Sequence, residues 1–412
     1  ATGTDEGDIT FTSSINDDNA DATPSNLILD ADGGAILISG VIGANNAIGT
    51  LEINNADTAH DGTITLHGIG NTAAGAAATD IGNSSTALLD LAGTFFTGGD
   101  TTYESKAGEF IDITSTSTIK TGSSAGHDIT FSTGEIDISD NKNLTINSGT
   151  GDITLVNIHG DGTNSTSTTT LDIDGATITV KEIGNSAVKD EIGSITIDGT
   201  TKVQLNGAIY TGGASNTLTI TGDTELATGT ILIDTTDGNG AVTLDGTVDG
   251  ARDLDIISGT GLAKITGNIG TSTALLSLDM NAVDTAGDTG GVTLEGNIGV
   301  GTTSGTTPGV GIVNLGNTAT TTAITLSGVS YNTSGAVTLD SAGGYSISGT
   351  TSNGTTIVTS GDAVTFGTST STADVTVGEK PFAIDTDTTA SSGGAITFYG
   401  DIIGATASGT GN

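Results

Sequence analysis

The chain has 412 residues, including 65 glycines, and it contains no cysteine and no tryptophan. Nine Lys and Arg residues against 48 Asp and Glu residues give a net charge of −39, which argues against a nucleic-acid-binding surface because no basic stripe is present. The absence of cysteine excludes a disulfide scaffold, and no apolar run reaches the length of a membrane span. Aromatic residues make up 3% of the chain, so any core has to be built from Ile, Val, Leu and Ala.

Strand patterns recur in chain order from one end of the sequence to the other. GDITFTSSIND begins at Gly7, DGTITLHGIGN at Asp61, GDITLVNIHG at Gly151, GAVTLDSAGG at Gly335 and GAITFYGDIIG at Gly394. A second phrase lies between these copies, for example SNLILDAD from Ser25, KNLTINSG from Lys142 and NTLTITGD from Asn216. The two phrases predict at least two strands in each repeating unit.

The repeat is clearest in the segment 240–300, where the phrase occurs three times. The copies are GAVTLDGTVDG (Gly240–Gly250), GLAKITGNIGT (Gly261–Thr271) and GGVTLEGNIGV (Gly290–Val300). Aligning Gly246, Gly267 and Gly296 gives steps of 21 and 29 residues. These steps are too short for a β-sandwich domain and are typical of one coil of a solenoid.

Apolar and polar residues alternate within the phrases, as Leu218 and Ile220 do with the neighbouring threonines. A period of two sends one set of side chains inward and the other to solvent. We therefore predict an all-β fold with almost no helix, a parallel β-solenoid of about 14–20 coils. We expect it to form a single continuous domain over 1–412, with looped-out insertions near 72–85, 97–108 and 301–309.

The strand phrase comes within a few residues of both ends of the sequence. A solenoid normally needs polar caps over its open coils. We therefore predict that copies self-associate end to end into a homopolymer, and the expected interface residues are Ile9, Phe11, Ile396 and Phe398. A chain cut from a longer repetitive protein and a small cap are the alternatives.

Four pairs of aspartates, each two residues apart, are the candidate metal ligands. On a strand this spacing places both carboxylates outside while residues such as Leu171, Ile173, Leu254 and Ile256 point inward. Ca²⁺ takes six to eight oxygen ligands, and neighbouring coils could add some of them. A solvated acidic face is the alternative interpretation. The predicted calcium ligands are Asp30, Asp32, Asp172, Asp174, Asp253, Asp255, Asp385 and Asp387.

The G-x-[IV]-T-[LF]-x-G-x-[IV]-G phrase, with L-x-[IL] strands between its copies, resembles the β-helical repeats of bacterial large exoproteins of the filamentous haemagglutinin type. These repeats are found in two-partner secretion and autotransporter adhesins. The resemblance implies a right-handed parallel β-helix at a prokaryotic cell surface, used in adhesion or as a stalk. Glycans or other surface proteins are then further candidate partners.

Together these features predict a non-enzymatic structural subunit of an extracellular fibre, sheath or surface layer. An adhesin stalk segment of a larger secreted exoprotein is the first alternative. A polysaccharide-active enzyme is the second, because glycosidases need two carboxylates across a cleft. The single arginine, the lack of tryptophan and the scattered positions of His60, His67, His127 and His159 argue against catalysis.

Overall fold

The computed structural model describes residues 7–18, 23–54, 62–122, 126–160, 168–185, 190–213, 215–282, 289–300, 308–318, 322–349, 354–387 and 393–404. These residues form strands, bridges and turns and contain no helix, which confirms the all-β prediction. Parallel strands stack as a β-solenoid, with about 14 turns in the two units taken together. This number is at the lower end of the predicted range.

The chain divides into two compact units, Ala1–Val203 and Gln204–Asn412, which we call unit 1 and unit 2. The division falls within β18 (Ser194–Leu205). The other strands of unit 1 are β1 (Ile9–Phe11), β2 (Leu27–Leu29), β3 (Ile36–Ile38), β4 (Ile48–Ile53), β5 (Thr63–Leu66), β6 (Ala76–Ile81), β7 (Leu88–Leu91), β8 (Thr94–Phe96), β9 (Thr101–Tyr103), β10 (Phe110–Ile113), β11 (Ser117–Lys120), β12 (Ile129–Phe131), β13 (Glu135–Ile138), β14 (Asn143–Asn147), β15 (Ile153–Thr154), β16 (Ile158–Gly160) and β17 (Thr170–Val180).

The strands of unit 2 follow in the same manner. They are β19 (Ile209–Tyr210), β20 (Leu218–Thr221), β21 (Thr224–Leu226), β22 (Ile231–Asp234), β23 (Val242–Asp245), β24 (Val248–Asp249), β25 (Asp253–Ile257), β26 (Ala263–Ile265), β27 (Leu275–Met280), β28 (Val292–Leu294), β29 (Val310–Leu315), β30 (Ile324–Leu326), β31 (Ser330–Asn332), β32 (Val337–Leu339), β33 (Tyr345–Ile347), β34 (Thr355–Val358), β35 (Val364–Phe366), β36 (Val375–Val377), β37 (Phe382–Asp385), β38 (Ile396–Phe398) and β39 (Ile402–Gly404).

Unit 1 contains parallel sheets in which each strand pairs with the equivalent strand of the next coil. One sheet has the order β1-β3-β5-β7-β10-β13-β16. A second runs β2-β4-β6-β9-β12-β15-β17, and a third runs β8-β11-β14-β17. A complete coil of unit 1 therefore contributes up to three strands.

Unit 2 repeats this arrangement with its own strands. One sheet has the order β19-β22-β25-β27-β29-β32-β35-β38. A second runs β20-β23-β26-β28-β30-β33-β36-β39, and a three-stranded sheet has the order β31-β34-β37. The parallel register explains why the strand phrases recur at coil-length intervals in the sequence.

Register stacks equivalent residues into columns, which we call inner or outer according to the direction of their side chains. One inner column of unit 1 consists of Ile64, Leu89, Ile111, Ile136 and Ile158, all fully buried. Burying one such side chain contributes about 1.5–3 kcal/mol. Stacked aliphatic columns therefore form the core that the aromatic-poor composition requires.

A glycine column explains the phrase that is repeated in segment 240–300. A Cβ atom added to Gly267 would fall on the carbonyl oxygen of Gly246, and one added to Gly296 would fall on that of Gly267. Gly246 itself has a φ of 152°, a conformation that residues with a Cβ rarely adopt. Only glycine fits where one coil packs so closely on the next. The glycine of the repeated phrase therefore marks the position at which two neighbouring coils are in contact.

The structure differs from the prediction at two segments that we expected to be loops. Strand β6 lies within 72–85 and pairs with β4 and β9, while β9 lies within 97–108. The sequence of β6, AAATDI, hides its alternation because alanine is a weak apolar signal. The third segment, 301–309, lies largely outside the described residues.

Candidate functional site

An outer column of unit 1 carries three carboxylates and one imidazole. Asp90 of β7, Asp112 of β10, Asp137 of β13 and His159 of β16 are directly in register. Neighbouring strands of a sheet lie about 4.8 Å apart. Like charges directly opposite each other destabilise a sheet, so this column concentrates negative charge at a structural cost.

A cleft of about 420 Å³ lies over the last strands of this sheet, and we call it the unit 1 cleft. It is lined by Phe110, Glu135, Asp137, Asn157, His159 and Glu182, and by Asn185 and Asp190. The volume is in the range of small-ligand pockets, about 300–1,000 Å³.

His159 is a largely enclosed ionisable group of the unit 1 cleft. Its side chain is 13% exposed, and its Nε2 lies 3.5 Å from Oε2 of Glu135, whose side chain is 34% exposed. Neither ring nitrogen makes a hydrogen bond to the described residues. The ring nitrogens are therefore shielded from solvent, and Nε2 faces the carboxylate of Glu135.

Unit 2 has an outer column at the equivalent sheet, with fewer acids. Asp255, Asp279, Asn314 and Thr338 are in register on β25, β27, β29 and β32. The amide Nδ2 of Asn314 donates a hydrogen bond of 2.6 Å to Oδ1 of Asp279. These four side chains, with Asp340, line a second cleft of about 410 Å³, the unit 2 cleft.

Asp255 is a carboxyl group of the unit 2 cleft with a shifted pKa. Burial, the charge of Asp279 and the charge of Asp234 raise the pKa of Asp255 to about 6. Its Oδ1 atom is buried and has no hydrogen-bond partner among the described residues. The group is therefore held in an environment that disfavours its charged form.

Two of the predicted aspartate pairs lie on strands, as expected. On β17, Leu171 and Ile173 are buried while Asp172 is exposed and Asp174 is partly buried. Burial, Asp198 and Asp172 raise the pKa of Asp174, against a hydrogen bond from the Asn147 side chain. The pair is thus part of a larger acidic group.

The second strand pair lies on β25, where Leu254 and Ile256 are buried. Asp253 accepts a hydrogen bond of 2.8 Å from the Ser277 hydroxyl at its Oδ1. Asp255 points from the same outer face toward Asp279. The predicted inward and outward directions are therefore confirmed for this pair.

The other two pairs lie in turns rather than along a strand. Asp30 follows β2, and its Oδ1 accepts a hydrogen bond from the backbone N–H of Asp32, which has a φ of 49°. Asp385 ends β37, and its Oδ1 accepts a hydrogen bond from the backbone N–H of Asp387. In these pairs the first carboxylate stabilises a local turn by accepting this hydrogen bond. The two-residue spacing alone does not show whether such a pair lies in a turn or on a strand.

In the described part of the chain, no group of three or more His, Cys, Asp or Glu side chains has an arrangement that could hold a metal ion. This observation concerns clusters within one copy of the chain. Calcium at the predicted aspartates remains a prediction.

The predicted assembly residues lie on two strands, β1 and β38. Strand β1 begins the order of its sheet in unit 1, and β38 ends the order of its sheet in unit 2. Ile9 and Phe11 are half-buried in β1. Ile396 of β38 is 46% exposed, while Phe398 is half-buried and stacks on Phe366 with ring centroids 4.8 Å apart. The structure therefore gives these four residues partial exposure.

The two outer columns were not predicted as sites from the sequence, although one of their members, Asp255, is among the predicted calcium ligands. The sequence does contain a signal for the first, since LLDL in β7, FIDI in β10 and EIDI in β13 share an aspartate between buried aliphatic residues. His159, one of the four scattered histidines, belongs to strand β16. His60 lies outside the described residues.

Comparison with protein-family models, with curated proteins and with solved structures gave no match. In the described residues, no helix has the length and apolar character needed to cross a membrane.

Proposed function

We propose that the chain is a non-enzymatic structural subunit of an extracellular fibre, sheath or surface layer at a prokaryotic cell surface. In this proposal its terminal coils pack on coils of further copies. The parallel β-solenoid supports it, because each coil is already built to receive another coil in register. The resemblance to exoprotein repeats and the acidic, cysteine-free composition support the extracellular location.

The observation that carries the proposal is a change of exposure at the last coil of unit 2. Val313, Val337 and Val364 form an inner column and are at most 4% exposed, but Ile396 continues that column at 46%. A second inner column passes from Val375, which is fully buried, to Ile402, which is 54% exposed. The last described coil thus presents apolar side chains that another coil would bury.

The first coil of unit 1 shows the complementary feature. Ile9 and Phe11 are half-buried, whereas their partners Ile36 and Ile38 in the next coil are buried. A coil from a second copy, packed in register, would extend the inner columns at the first coil of unit 1 or at the last described coil of unit 2. Each fully buried aliphatic side chain would then stabilise the contact by about 1.5–3 kcal/mol before association costs.

Electron microscopy and light scattering of the purified chain test the proposal. We expect concentration-dependent polymers that are lost in the Ile396→Lys, Ile402→Lys double variant. A matched control is Ile28→Lys, since Ile28 is 62% exposed on an outer face of unit 1. Polymers that survive the double variant, or a chain that remains monomeric at every concentration, would contradict the proposal.

The same samples test the calcium prediction separately. If carboxylates of neighbouring copies share Ca²⁺, a chelator should shorten the polymers and added Ca²⁺ should restore them. Polymers that are insensitive to the chelator would contradict the calcium prediction and would leave the apolar interface as the proposed contact.

A further inference from the structure

We propose that Asn206, which is followed by Gly207, is a site of spontaneous covalent modification, at which the side chain loses ammonia and the residue becomes an aspartate or an isoaspartate. The reaction needs only the folded chain and water. It is therefore independent of the structural function proposed above.

Three asparagines of the chain precede a glycine, namely Asn206, Asn239 and Asn353. Asn353 lies outside the described residues, so the structure compares the first two. An asparagine before glycine is a reactive context, because glycine has no Cβ to hinder the approach of its own backbone nitrogen to the asparagine side chain. The sequence alone does not distinguish Asn206 from Asn239.

The modification proceeds through a ring that the main chain closes on the side chain. The backbone nitrogen of the glycine forms a bond to Cγ of the asparagine, while the bond between Cγ and Nδ2 breaks. Nδ2 leaves as ammonia and carries away the proton of the glycine N–H. Water then opens the five-membered succinimide at either carbonyl and leaves an aspartate or an isoaspartate. The fold controls the first step, because the glycine nitrogen has to reach Cγ.

Turn geometry holds Asn239 and Gly240 in a conformation that resists ring closure. Asn239 has a φ of 52°, and its Oδ1 accepts a hydrogen bond of 2.9 Å from the N–H of Thr260. The N–H of Gly240 donates a hydrogen bond of 3.3 Å to the carbonyl of Thr235. A Cβ atom added to Gly240 would fall on the carbonyl oxygen of Asn216. Ring closure here has to break both hydrogen bonds and move a closely packed backbone.

Asn206 lies between two strands, after the end of β18 and before the start of β19. Its backbone carbonyl accepts a hydrogen bond of 2.8 Å from the Thr228 hydroxyl. Among the described residues, neither the Asn206 side chain nor the N–H of Gly207 has a hydrogen-bond partner. The glycine nitrogen can therefore approach Cγ without breaking a hydrogen bond of its own.

Solvent exposure alone would predict the opposite order of reactivity. Asn239 is exposed, whereas Asn206 is half-buried. If access of water decided the rate, position 239 would react first. The proposal assigns the faster reaction to position 206, because the freedom of the main chain limits ring closure.

The contacts at position 206 indicate what the modification changes. The carbonyl of Leu205 accepts a hydrogen bond of 3.0 Å from the N–H of Ala227, and the carbonyl of Asn206 accepts the one from Thr228. Isoaspartate continues the main chain through Cγ and adds one CH₂ group, which displaces the second of these carbonyls. Aspartate leaves the main chain unchanged and adds one negative charge. We expect hydrogen exchange over 204–213 to increase with the isoaspartate content.

Ageing of the purified full chain in neutral buffer, followed by peptide mass spectrometry, tests the proposal. Trypsin releases residues 203–252 as one peptide, because no Lys or Arg lies between Lys202 and Arg252. Both asparagines are thus measured on the same peptide, each by a mass gain of about 1 Da. We expect position 206 to react at least about tenfold faster than position 239, since two hydrogen bonds have to break at the second site. Equal rates, or a faster reaction at position 239, would overturn the proposal.

The chain unfolded in guanidinium chloride is the reference for both positions. Without the fold we expect the two asparagines to react at comparable rates, because each precedes a glycine. Folding should then slow the reaction strongly at position 239 and change it little at position 206. A folded chain that protects both positions equally would overturn the proposal, and this comparison needs no variant.

Two matched variants assign the isoaspartate, which is labelled by methyl transfer from an isoaspartate methyltransferase. Asn206→Gln keeps the amide but requires a six-membered ring, which closes slowly, so the aged 203–252 peptide should lose its label. Asn239→Gln makes the same change at the second position and should retain the label. The reverse result would overturn the proposal.

These results do not depend on assembly, since a chain that fails to polymerise still gives all of them. In a fibre, the modified fraction would rise with the age of a subunit, a consequence that rests on the proposed function. Comparison of polymers formed by fresh and aged chains tests that consequence separately.

Discussion

Buried tyrosine hydroxyls differ in their hydrogen bonding between the two units. In unit 1, Tyr103 is fully buried between Phe95 and Phe131, and its hydroxyl has no hydrogen-bond partner among the described residues. In unit 2, the Tyr331 hydroxyl donates to the carbonyl of Leu294 and accepts from the N–H of Gly328. Burial raises the pKa of both phenols. A buried tyrosine hydroxyl therefore destabilises unit 1, where it has no partner among the described residues, whereas in unit 2 it links two backbone groups through hydrogen bonds.

The outer columns differ in a related way. In unit 1 the run Asp90, Asp112 and Asp137 ends at an imidazole, whereas in unit 2 the run of Asp255 and Asp279 ends at an amide and then a hydroxyl. Both arrangements interrupt a series of like charges. The neutral amide of Asn314 also donates a hydrogen bond to the carboxylate of Asp279 directly.

The largest expected effect is that of Tyr331→Phe. The substitution leaves the buried N–H of Gly328 without its acceptor, which should cost about 2–3 kcal/mol of local stability. Hydrogen exchange measured by mass spectrometry on peptides spanning 322–349 provides the local opening free energy. Protection equal to that of the unmodified chain would show that water satisfies the N–H.

Tyr103→Phe should have the opposite sign and a smaller magnitude. It removes a hydroxyl that is buried without a partner while keeping the ring between Phe95 and Phe131, so we expect stabilisation of about 1 kcal/mol. Hydrogen exchange over 94–122 is the measurement. Destabilisation would indicate that the hydroxyl is hydrogen-bonded in solution.

The smallest effect concerns Asp255 and its dependence on pH. Its folded-state pKa of about 6 is above the ordinary value near 3.9, so the folded state binds more protons between these values. This group's contribution therefore decreases as pH rises from about 4 to about 6. The side chain is partly solvated, which limits the loss to about 1 kcal/mol.

Asp255→Asn should remove this pH dependence. The variant is expected to be more stable than the unmodified chain above pH 6 and similar to it at pH 4, as measured by exchange over 253–280. Asp253→Asn is the matched control, because Asp253 lies on the same strand and accepts a hydrogen bond from the Ser277 hydroxyl. Identical pH profiles for the unmodified chain and Asp255→Asn would exclude the burial of charge as the cause.

The fold could be predicted because its determinants are local. Alternation in LTIT predicts which residues are buried, and the spacing of Gly246, Gly267 and Gly296 reports the length of a coil. The inward positions of Leu171 and Leu254 followed from the same rule and are confirmed. Such features need no knowledge of which coils contact each other.

The candidate sites could not be predicted because they depend on register. Ile64 pairs with Leu89 and Leu89 with Ile111, which are steps of 25 and 22 residues, so the sequence alone does not show which outward side chains coincide. The turns at Asp30 and Asp385 depend instead on backbone conformation and a carboxylate-to-N–H hydrogen bond. Both kinds of information are absent from a pattern of apolar and polar residues.

The glycine column also bears on how such a chain can grow during evolution. A duplicated DNA segment whose ends fall at equivalent glycines adds one complete coil, with the contact between coils already in place. A duplication that replaces one of these glycines would put a side chain against the carbonyl of the preceding coil. The number of residues between successive glycines can therefore differ, as the steps of 21 and 29 show, while each coil contact still requires a glycine.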